Sequence, residues 1–594
     1  MSLETLNDIF FAIVERNDRV VMMHRQAIQW VSISSQEIYQ RVAGVAGALQ
    51  EWGIRKGDRV AILSENRPEW TIADFACLLV GAVVVPIYTT LTGEQSAYIL
   101  SDSGARAIFV STEKQFSKIT LIRDQTALEK IVVMDAVETA HAFHMQRLMH
   151  DGPKERDPQF EAMARAARPG DLATIIYTSG TTGVPKGAML SQGNMASNIR
   201  SSLADFPMED GEITISFLPL SHVTARHVDF AMLYRDVTLA YVSHIEQLPQ
   251  ALQEVRPTIF VGVPRVYEKA HTKVDQAAQS FPRKQIYQWA LSVGRGHREE
   301  ILKGQTPSSR GWKLANRLIF SKVRAGMGGR AEVFISGGAP LGKELADWYA
   351  QIGIRIHEGY GLTETSPVIA VNTPKAHKLG TVGKPLSNVE VRIADDGEIL
   401  VRGPSVFQGY WNRPKETAEA FVDGWFKTGD IGNIDGEGFL SVTDRKKDLI
   451  KTSGGKFIAP QPLENSLKHN ALVAEAVILG EKRKFPAVLI APYFPLLEEW
   501  ARANQVTFSS RQELVSHAKV RELYEGIVAD MNRELARFEQ LKRVVLIPDE
   551  FSTENGTLTA SMKLRRRVVE ERYRSHIEEM YAEAEAEGVV SRSD

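Results

Sequence analysis

The sequence has very little cysteine, almost no net charge and no long hydrophobic run. Cys77 is the only cysteine in 594 residues, which excludes an internal disulfide framework and a cysteine-rich zinc site and indicates a reduced, cytoplasmic environment. The 71 basic and 73 acidic residues leave a formal net charge of −2, so no overall field selects nucleic acid or an anionic membrane. The most apolar stretch, residues 76–85, is far shorter than the roughly 20 residues that span a bilayer. We therefore expect a cytoplasmic protein without a nucleic-acid partner, and peripheral contact with a membrane stays open.

Short apolar runs alternate with longer amphipathic segments over the first 440 residues, which is typical of α/β architecture. The pattern predicts a strand at 59–63, a helix at 70–79 and a strand at 82–88. Further strands are predicted at 107–111, 172–177, 213–218, 237–242, 258–263 and 331–336. A long polar segment with helical spacing, residues 264–324, is predicted to contain at least two helices.

The pattern changes after about residue 374. Short apolar runs separated by glycines predict hairpins in a small all-β portion, and Asp395-Asp396-Gly397 reads as a hairpin turn rather than a catalytic carboxylate pair. Residues 444–456 (DRKKDLIKTSGGK) are charged and then glycine-rich, and a smaller α+β segment follows. This predicts two domains, 1–443 and 444–594.

Residues 177–191 read YTSGTTGVPKGAMLS and carry the clearest chemical signal. Their glycines allow close approach of the backbone to a ligand, while the hydroxyls and Lys186 can bind phosphate oxygens. The order Lys186-Gly187-Ala188 excludes the Walker A loop, which needs Gly-Lys followed by Ser or Thr. The preceding buried strand and the helix-like sequence that follows predict an anion-binding turn rather than a surface linker.

The loop resembles the signature of the adenylate-forming superfamily of acyl-CoA synthetases, peptide-synthetase adenylation domains and beetle luciferases. Five more motifs of that superfamily follow in order: GGAPL (337–341), YGLTETSP (360–367), TGD (428–430), the segment 444–456, and NGTLTASMKLRRR (555–567). The resemblance implies an α/β fold whose large N-terminal domain has two α/β subdomains and a small distorted β-barrel. A small, mobile α+β domain is implied to follow, with a hinge near 445–447.

The resemblance also implies roles for individual residues. The implied catalytic residues are Lys563, Glu364 and His222, and Mg²⁺ would be held by Glu364 and Thr181. The implied nucleotide-binding residues are Thr178, Ser179, Gly180, Thr181, Thr182, Gly183, Lys186, Gly338, Ala339, Tyr360, Gly361, Thr363, Asp430 and Arg445. Lys447 would be the hinge, and Ser453, Gly454 and Gly455 would line the path of coenzyme A. Lys563 stands beside three arginines, and such a basic run is otherwise typical of a solvated face.

Several segments, among them LPLSH (218–222) and KTSGGKFIAPQ (451–461), resemble long-chain fatty acyl-CoA synthetases. They imply ATP-dependent conversion of a fatty acid to acyl-AMP and then to acyl-CoA, with ATP, Mg²⁺ and coenzyme A required. His222 is expected near the acyl carboxylate or the thiol attack, its alternative being a core histidine. Arg226 stands where some long-chain members carry a tryptophan that gates the acyl tunnel.

Two other functions stay open. The first is a fatty-acyl-AMP ligase that delivers the acyl group to a separate carrier protein; such enzymes carry an insertion that restricts domain rotation, and none is evident between Asp430 and Arg445. The second is a non-enzymatic nucleotide- or lipid-binding protein, which the retained Lys186, Glu364 and Lys563 oppose. The polar helical segment 264–324 is a candidate homodimer interface.

Overall fold

The computed structural model describes residues 2–16, 18–178, 184–208, 211–453, 456–552, 554–559 and 564–587. Contacts between Cα atoms divide the chain into two compact units. The first comprises Met1–Arg392, Leu400–Thr428 and Ile434–Ser441, and the second comprises Ile393–Ile399, Gly429–Asn433 and Val442–Asp594.

Twenty-six strands lie in the described residues. They are β1 Val20–Gln26, β2 Gln29–Ser34, β3 Arg59–Leu63, β4 Val83–Ile87, β5 Ala107–Val110, β6 Lys130–Val133, β7 Phe143–His144, β8 Leu172–Thr178, β9 Lys186–Ser191, β10 Ile213–Ser216, β11 Thr238–Tyr241, β12 Ile259–Gly262, β13 Val333–Ser336, β14 Ile356–Gly361, β15 Val368–Val371, β16 Lys384–Pro385, β17 Glu390–Ile393, β18 Glu398–Arg402, β19 Phe421–Val422, β20 Trp425–Ile434, β21 Leu440–Arg445, β22 Ile450–Lys451, β23 Phe457–Ile458, β24 Val473–Leu479, β25 Ala487–Pro492 and β26 Val544–Leu546.

Twenty-two α-helices lie in the same part of the chain. They are α1 Asn7–Val14, α2 Ser35–Glu51, α3 Pro68–Leu79, α4 Gly93–Ser103, α5 Glu113–Thr120, α6 Met145–His150, α7 Pro158–Ala164, α8 Gln192–Ser202, α9 Val223–Tyr234, α10 Leu248–Val255, α11 Pro264–Ala277, α12 Arg283–Leu302, α13 Arg310–Ala315, α14 Ser321–Gly326, α15 Lys343–Gln351, α16 Pro414–Glu419, α17 Pro460–Lys468, α18 Phe494–Ala503, α19 Arg511–Ser516, α20 Ala518–Asn532, α21 Arg566–Arg572 and α22 Arg574–Ala586. A π-helix, Asn316–Phe320, joins α13 to α14.

Two large sheets form the framework of the first unit. A seven-stranded sheet has the order β7-β6-β5-β3-β4-β8-β9 and is parallel except for β9. A nine-stranded sheet has the order β16-β15-β14-β13-β12-β10-β11-β1-β2, with a parallel centre from β14 to β11. The central strands are apolar on both faces, as expected of parallel strands covered by helices. In such sheets ligands bind beyond the carboxyl ends of the strands, which is where most of the predicted site residues occur.

The remaining strands form smaller sheets. Strands β17 to β21 have the order β17-β18-β20-β19, and β21 also pairs with β20. In the second unit β24 and β25 pair antiparallel and β26 adds in parallel, while β22 and β23 form a separate pair. Helices α17, α18 and α20 bury Leu467, Leu497 and Tyr524 in one core of this unit. The second unit is therefore a small α+β body.

Most predicted elements are confirmed to within a few residues. β3 occupies the predicted residues, and α3 begins two residues before the predicted start. Residues 264–324 contain four helices and a π-helix, which confirms the prediction of at least two helices. Asp395-Asp396-Gly397 lies in the turn between β17 and β18, with Gly397 at a φ of 84°. Cys77 is fully buried in α3, as its apolar surroundings predict.

Candidate active site

The predicted phosphate loop joins two antiparallel strands. Thr178 ends β8 opposite Lys186, the first residue of β9, and its hydroxyl donates to the Lys186 carbonyl at 3.5 Å. Ser179, Gly180, Thr181, Thr182 and Gly183 lie outside the described residues. The helix predicted after the segment 177–191 is confirmed, because α8 begins at Gln192; strand β9, inside that segment, was not predicted.

Strand β9 forms because its backbone is paired on both edges. One edge pairs with β8, and on the other the Met189 N–H donates to the Gly409 carbonyl at 3.0 Å. The Trp411 N–H likewise donates to the Gly187 carbonyl at 2.7 Å. A Cβ on Gly187 would lie 2.5 Å from Cγ2 of Ile175, so only glycine fits between the strands. These contacts bring the segment 408–411 beside the loop.

Tyr410 on that segment links two predicted site residues. Its hydroxyl donates to Oε1 of Glu364 at 2.9 Å, and the Lys186 ammonium lies 5.4 Å from its ring centroid. Burial, together with the Glu364 charge, raises the pKa of Tyr410 above the ordinary value of a phenol, so the hydroxyl stays a donor at neutral pH. The structure thus groups one cation and one anion around one aromatic ring. Tyr410 was missed from the sequence, where only the aromatic pair 410–411 after a glycine marks it.

The segment that carries Glu364 is held tightly. Gly361 packs so closely that a Cβ there would lie 1.8 Å from the Pro367 carbonyl oxygen. Asn198 clamps the following strand, because its Nδ2 donates to the Val368 carbonyl at 2.7 Å and its Oδ1 accepts from the Val368 N–H at 3.1 Å. Thr363 begins a single 3₁₀ turn on which Glu364 is the next residue. The carboxylate of Glu364 therefore projects from a fixed backbone.

The predicted adenine pocket lies at the ends of β13 and β14. Gly338 has a φ of +84°, and a Cβ there would meet nothing closer than Val263 Cγ1 at 3.8 Å. Gly338 and Ala339 are exposed, and Tyr360 is half-buried on β14. Glu358, which the sequence did not single out, accepts from the Leu341 N–H at 3.1 Å and so ties the GGAPL turn to β14. Burial raises the pKa of the Glu358 carboxyl to about 7.

His222 caps the amino end of α9. Its Nδ1 accepts from the Thr224 N–H at 3.1 Å, so the neutral ring carries its proton on Nε2. Asn66, after β3, holds the loop that precedes it: Nδ2 donates to the Leu218 carbonyl at 2.6 Å, and Oδ1 accepts from the Leu220 N–H at 3.2 Å. His222 is only partly buried, which distinguishes it from a core histidine such as His227.

Arg226, one turn further along α9, forms a buried ion pair with Asp74 of α3. Its Nε and Nη2 donate to the two carboxylate oxygens of Asp74 at 2.7 and 2.6 Å. Arg226 is 1% and Asp74 0% exposed. The guanidinium carbon lies 5.9 Å from the Trp70 ring and 5.5 Å from the Phe230 ring. At the position where the resemblance implied a gating tryptophan, this chain has an ionic contact between α9 and α3.

The second unit holds the other described residues of the predicted site. Asp430 on β20 is buried, and its Oδ1 lies 3.5 Å from Nε of Arg445 at the end of β21. Lys447 is exposed in the turn that follows, and the Ser453 N–H donates to the Arg483 carbonyl at 2.9 Å. Gly454, Gly455 and Lys563 lie outside the described residues.

The described residues contain no cluster of three or more histidine, cysteine, aspartate or glutamate side chains suited to a metal ion. Glu364 offers a carboxylate beside the phosphate loop, and Tyr410 engages one of its oxygens. Magnesium usually binds through one or two carboxylates together with substrate phosphates and water. The donor set at Glu364 therefore fits Mg²⁺ carried with a nucleotide.

Comparison with known proteins identifies the family. The model of the AMP-binding enzyme family matches residues 12–411, and that of the AMP-binding enzyme C-terminal domain matches residues 447–585. The chain belongs to the AMP-binding enzyme family. This confirms the resemblance stated from the six ordered motifs.

Curated relatives of this AMP-binding enzyme align along nearly its whole length. Long-chain-fatty-acid--CoA ligase FadD15 of Mycobacterium bovis is 37% identical, covering 96% of this chain and 95% of the relative. Long chain acyl-CoA synthetase 7, peroxisomal, of Arabidopsis thaliana is 31% identical, with coverage of 91% and 80%. Long-chain-fatty-acid--CoA ligase ACSBG1 of Homo sapiens is 31% identical, with coverage of 98% and 85%.

Solved structures confirm the predicted fold class of this AMP-binding enzyme. The anthranilate CoA ligase AuaEII in complex with anthranoyl-AMP is 19% identical, with a TM-score of 0.75 and coverage of 97% of this chain and 98% of that one. The adenylation domain of the carboxylate reductase from Mycobacterium chelonae is 22% identical, with a TM-score of 0.76 and coverage of 97% and 91%. At these identities the likeness concerns the fold: α/β, with a large N-terminal and a small C-terminal domain.

Proposed function

We propose that this chain is an ATP-dependent long-chain fatty acid:CoA ligase. The observation that carries the proposal is the grouping of Lys186 and Glu364 around Tyr410 at the phosphate loop. Relatives that align with 96% or more of the chain, including FadD15 and ACSBG1, are named as long-chain-fatty-acid--CoA ligases. ATP and coenzyme A are co-substrates of such a reaction.

In the first step a carboxylate oxygen of the fatty acid attacks the α-phosphorus of ATP. The new oxygen–phosphorus bond gives acyl-AMP, and pyrophosphate leaves with the electron pair of the broken bond. Lys186, with Thr178, Ser179, Gly180, Thr181, Thr182 and Gly183 of the loop, binds the β- and γ-phosphates. Lys563 bridges the substrate carboxylate and the α-phosphate, where negative charge develops.

Glu364 and Thr181 would hold Mg²⁺ on the phosphates, with Thr363 nearby. Bound there, the ion would neutralise phosphate charge as pyrophosphate departs. Tyr410 keeps the Glu364 carboxylate in place through its hydroxyl. Because Tyr410 stays protonated at neutral pH, its hydroxyl remains a donor to that carboxylate.

The nucleoside is bound by separate groups. Tyr360 offers a ring face to adenine, Gly338 and Ala339 leave room for its edge, and Gly361 follows Tyr360 in the same nucleotide-binding segment. The open space around the Cβ position of Gly338 supports this role. Asp430 accepts from the ribose hydroxyls, with Arg445 as the second ribose contact.

In the second step the thiol sulfur of coenzyme A attacks the acyl carbon, and AMP leaves as the thioester forms. His222 carries its proton on Nε2, so it donates a hydrogen bond to the acyl oxygen and does not act as the base for the thiol. The thiol proton passes to water. We further propose that the domain 444–594 rotates about Lys447 between the steps. Ser453, Gly454 and Gly455 then line the pantetheine path.

The proposal extends to cytoplasmic location with peripheral membrane contact. Long-chain fatty acids partition into bilayers, so peripheral contact with a bilayer would bring the enzyme to its substrate. No described helix combines the length and hydrophobicity needed to cross a bilayer.

The test is AMP formation by the purified protein with ATP, Mg²⁺, coenzyme A and carboxylates from acetate to long-chain acids. AMP that requires coenzyme A and increases into the long-chain range is the expected result. Activity limited to short or aromatic acids would contradict the substrate class. Release of pyrophosphate without any dependence on coenzyme A would instead indicate a fatty-acyl-AMP ligase that serves a carrier protein.

A further inference from the structure

Positive charge is concentrated in one segment of the chain. Residues 264–330 contain fourteen lysines and arginines and only four acidic residues, a net charge of +10 in a chain whose total is −2. This segment comprises α11 to α14 and the π-helix, and all of it lies in the first unit. The protein therefore has a local positive electrostatic field that its overall net charge does not reveal.

Twelve of the fourteen cations of this segment are exposed, and three of its four acidic residues contact nearby side chains. Asp275 accepts from the Tyr287 hydroxyl at 2.6 Å, and Glu300 lies 2.8 Å from His297 Nδ1. Six exposed cations form no ion pair within the described residues, namely Arg283, Lys284, Arg310, Lys313, Arg317 and Lys322. Their charge is therefore directed to the solvent.

The same segment exposes large apolar side chains. Of sixteen large hydrophobic residues exposed in the described chain, five lie between residues 281 and 318. They are Phe281, Ile286, Trp289, Leu314 and Leu318, and Phe281 is 79% exposed. Scattered exposed hydrophobics are normal on a protein surface, but such clustering marks an interaction site.

The packing of α13 on α12 directs most of these side chains towards one another. Ser309 Oγ lies 2.8 Å from His297 Nε2, and a Cβ on Gly311 would lie 3.7 Å from Val293 Cγ1. Because the later residue on the α13 side contacts the earlier residue on α12, the two helices are antiparallel. Extended further along both helices, this register brings Leu314 of α13 and Leu318 of the π-helix towards Trp289 and Ile286 of α12. We call these four residues, together with Phe281 and the six exposed cations of the same segment, the basic apolar face.

We propose that the basic apolar face docks on the surface of an anionic phospholipid bilayer. Aromatic and aliphatic side chains flanked by lysine and arginine are the composition of helices that lie in the bilayer interface, where the cations attract anionic headgroups. A symmetric dimer through this face would oppose two strongly positive surfaces, which repel each other. Nucleic acid would engage the cations but leave Ile286, Leu314 and Leu318 without partners.

Docking there would hold the enzyme where long-chain fatty acids are dissolved, a consequence that rests on the proposed function. The docking itself rests on charge and exposure alone. Binding to vesicles and AMP formation can therefore fail independently of each other.

The experiment is co-sedimentation of the full chain with vesicles of phosphatidylcholine, alone and mixed with phosphatidylglycerol. Binding is expected with the mixed vesicles, weakening as salt is raised. The triple variant Arg310→Gln, Lys313→Gln, Arg317→Gln should lower the partition coefficient roughly 100-fold, at about fivefold per cation. The matched control neutralises three exposed lysines elsewhere, Lys114→Gln, Lys154→Gln and Lys415→Gln, and should bind like the unchanged protein.

The apolar contribution is tested with Trp289→Ser and Leu318→Ser, against Leu121→Ser, which alters a side chain that is 83% exposed elsewhere. Only the first two should weaken vesicle binding, and AMP formation with fatty acid delivered in solution should stay unchanged in every variant. Equal binding by the Gln triple variant and its control would overturn the proposal. Equal binding to phosphatidylcholine vesicles with and without phosphatidylglycerol would also overturn it. The same holds if the protein does not bind vesicles but forms a dimer that the triple variant abolishes, or if it binds RNA and not vesicles.

Discussion

Removing Asp74 from its buried pair with Arg226 should loosen the contact between α3 and α9. The guanidinium is 1% exposed and donates two short hydrogen bonds to a carboxylate that is 0% exposed. Asp74→Ala therefore leaves a buried cation without its counterion, which typically costs about 3–5 kcal/mol. Arg226→Met strands the carboxylate and should cost a similar amount. The double variant Asp74→Leu, Arg226→Met restores an apolar contact and should be more stable than either single variant.

The assay is hydrogen exchange of the backbone amides of α3 and α9, since a chain with two units need not unfold in one step. Asp74→Ala should raise the opening equilibrium of α9 by more than about 100-fold, which corresponds to about 3 kcal/mol. Ser117→Ala, on the surface of α5, serves as the control for an unrelated site. A change below about tenfold, or a double variant as destabilised as the sum of the single ones, would refute the reasoning.

Three further predictions concern the site. Tyr410→Phe removes the donor to Glu364 and should lower AMP formation about 10- to 100-fold, since hydrogen bonds to charged groups contribute about 1.5–3 kcal/mol; Tyr493→Phe, at an exposed tyrosine, should have no effect. Glu358, whose pKa is raised to about 7 in the folded chain from an ordinary 4.5, binds a proton more tightly folded than unfolded, so its stabilising contribution is lost as pH rises through that interval. Glu358→Gln should accordingly gain up to about 3 kcal/mol over the unchanged chain between pH 5 and 8, read from melting curves at both pH values; a gap that does not widen with pH would contradict the assignment. Lys563→Ala should abolish acyl-AMP formation far more than thioester formation from supplied acyl-AMP, and equal loss in both half-reactions would disprove its assigned role.

Local patterns predicted the strands well because parallel strands carry continuous apolar runs. Residues 172–177 are such a run, and β8 lies there. Strand β9 was missed because its two edges are satisfied by β8 and by residues 408–411, and the second partner lies more than 200 residues away. No local window contains that information.

The site shows the same division. Glu364 and Lys186 were found because they belong to motifs with fixed spacing, whereas Tyr410 meets Glu364 from 46 residues away. Asp74 and Arg226 are separated by 152 residues, and the sequence around either residue does not indicate that the two form a pair. Motifs therefore located the groups expected to touch substrate, and tertiary structure was needed for the groups that hold them.

The single cysteine has a practical consequence. Cys77 is fully buried in α3, and burial raises the pKa of its thiol well above the ordinary value, so it should resist maleimide reagents in the native protein. Cysteines introduced at exposed positions would then react selectively, and Cys77 would not first have to be replaced. Fluorescent dyes attached at one such site in each unit would report, molecule by molecule, how the distance between the units changes as ATP, fatty acid and coenzyme A are added.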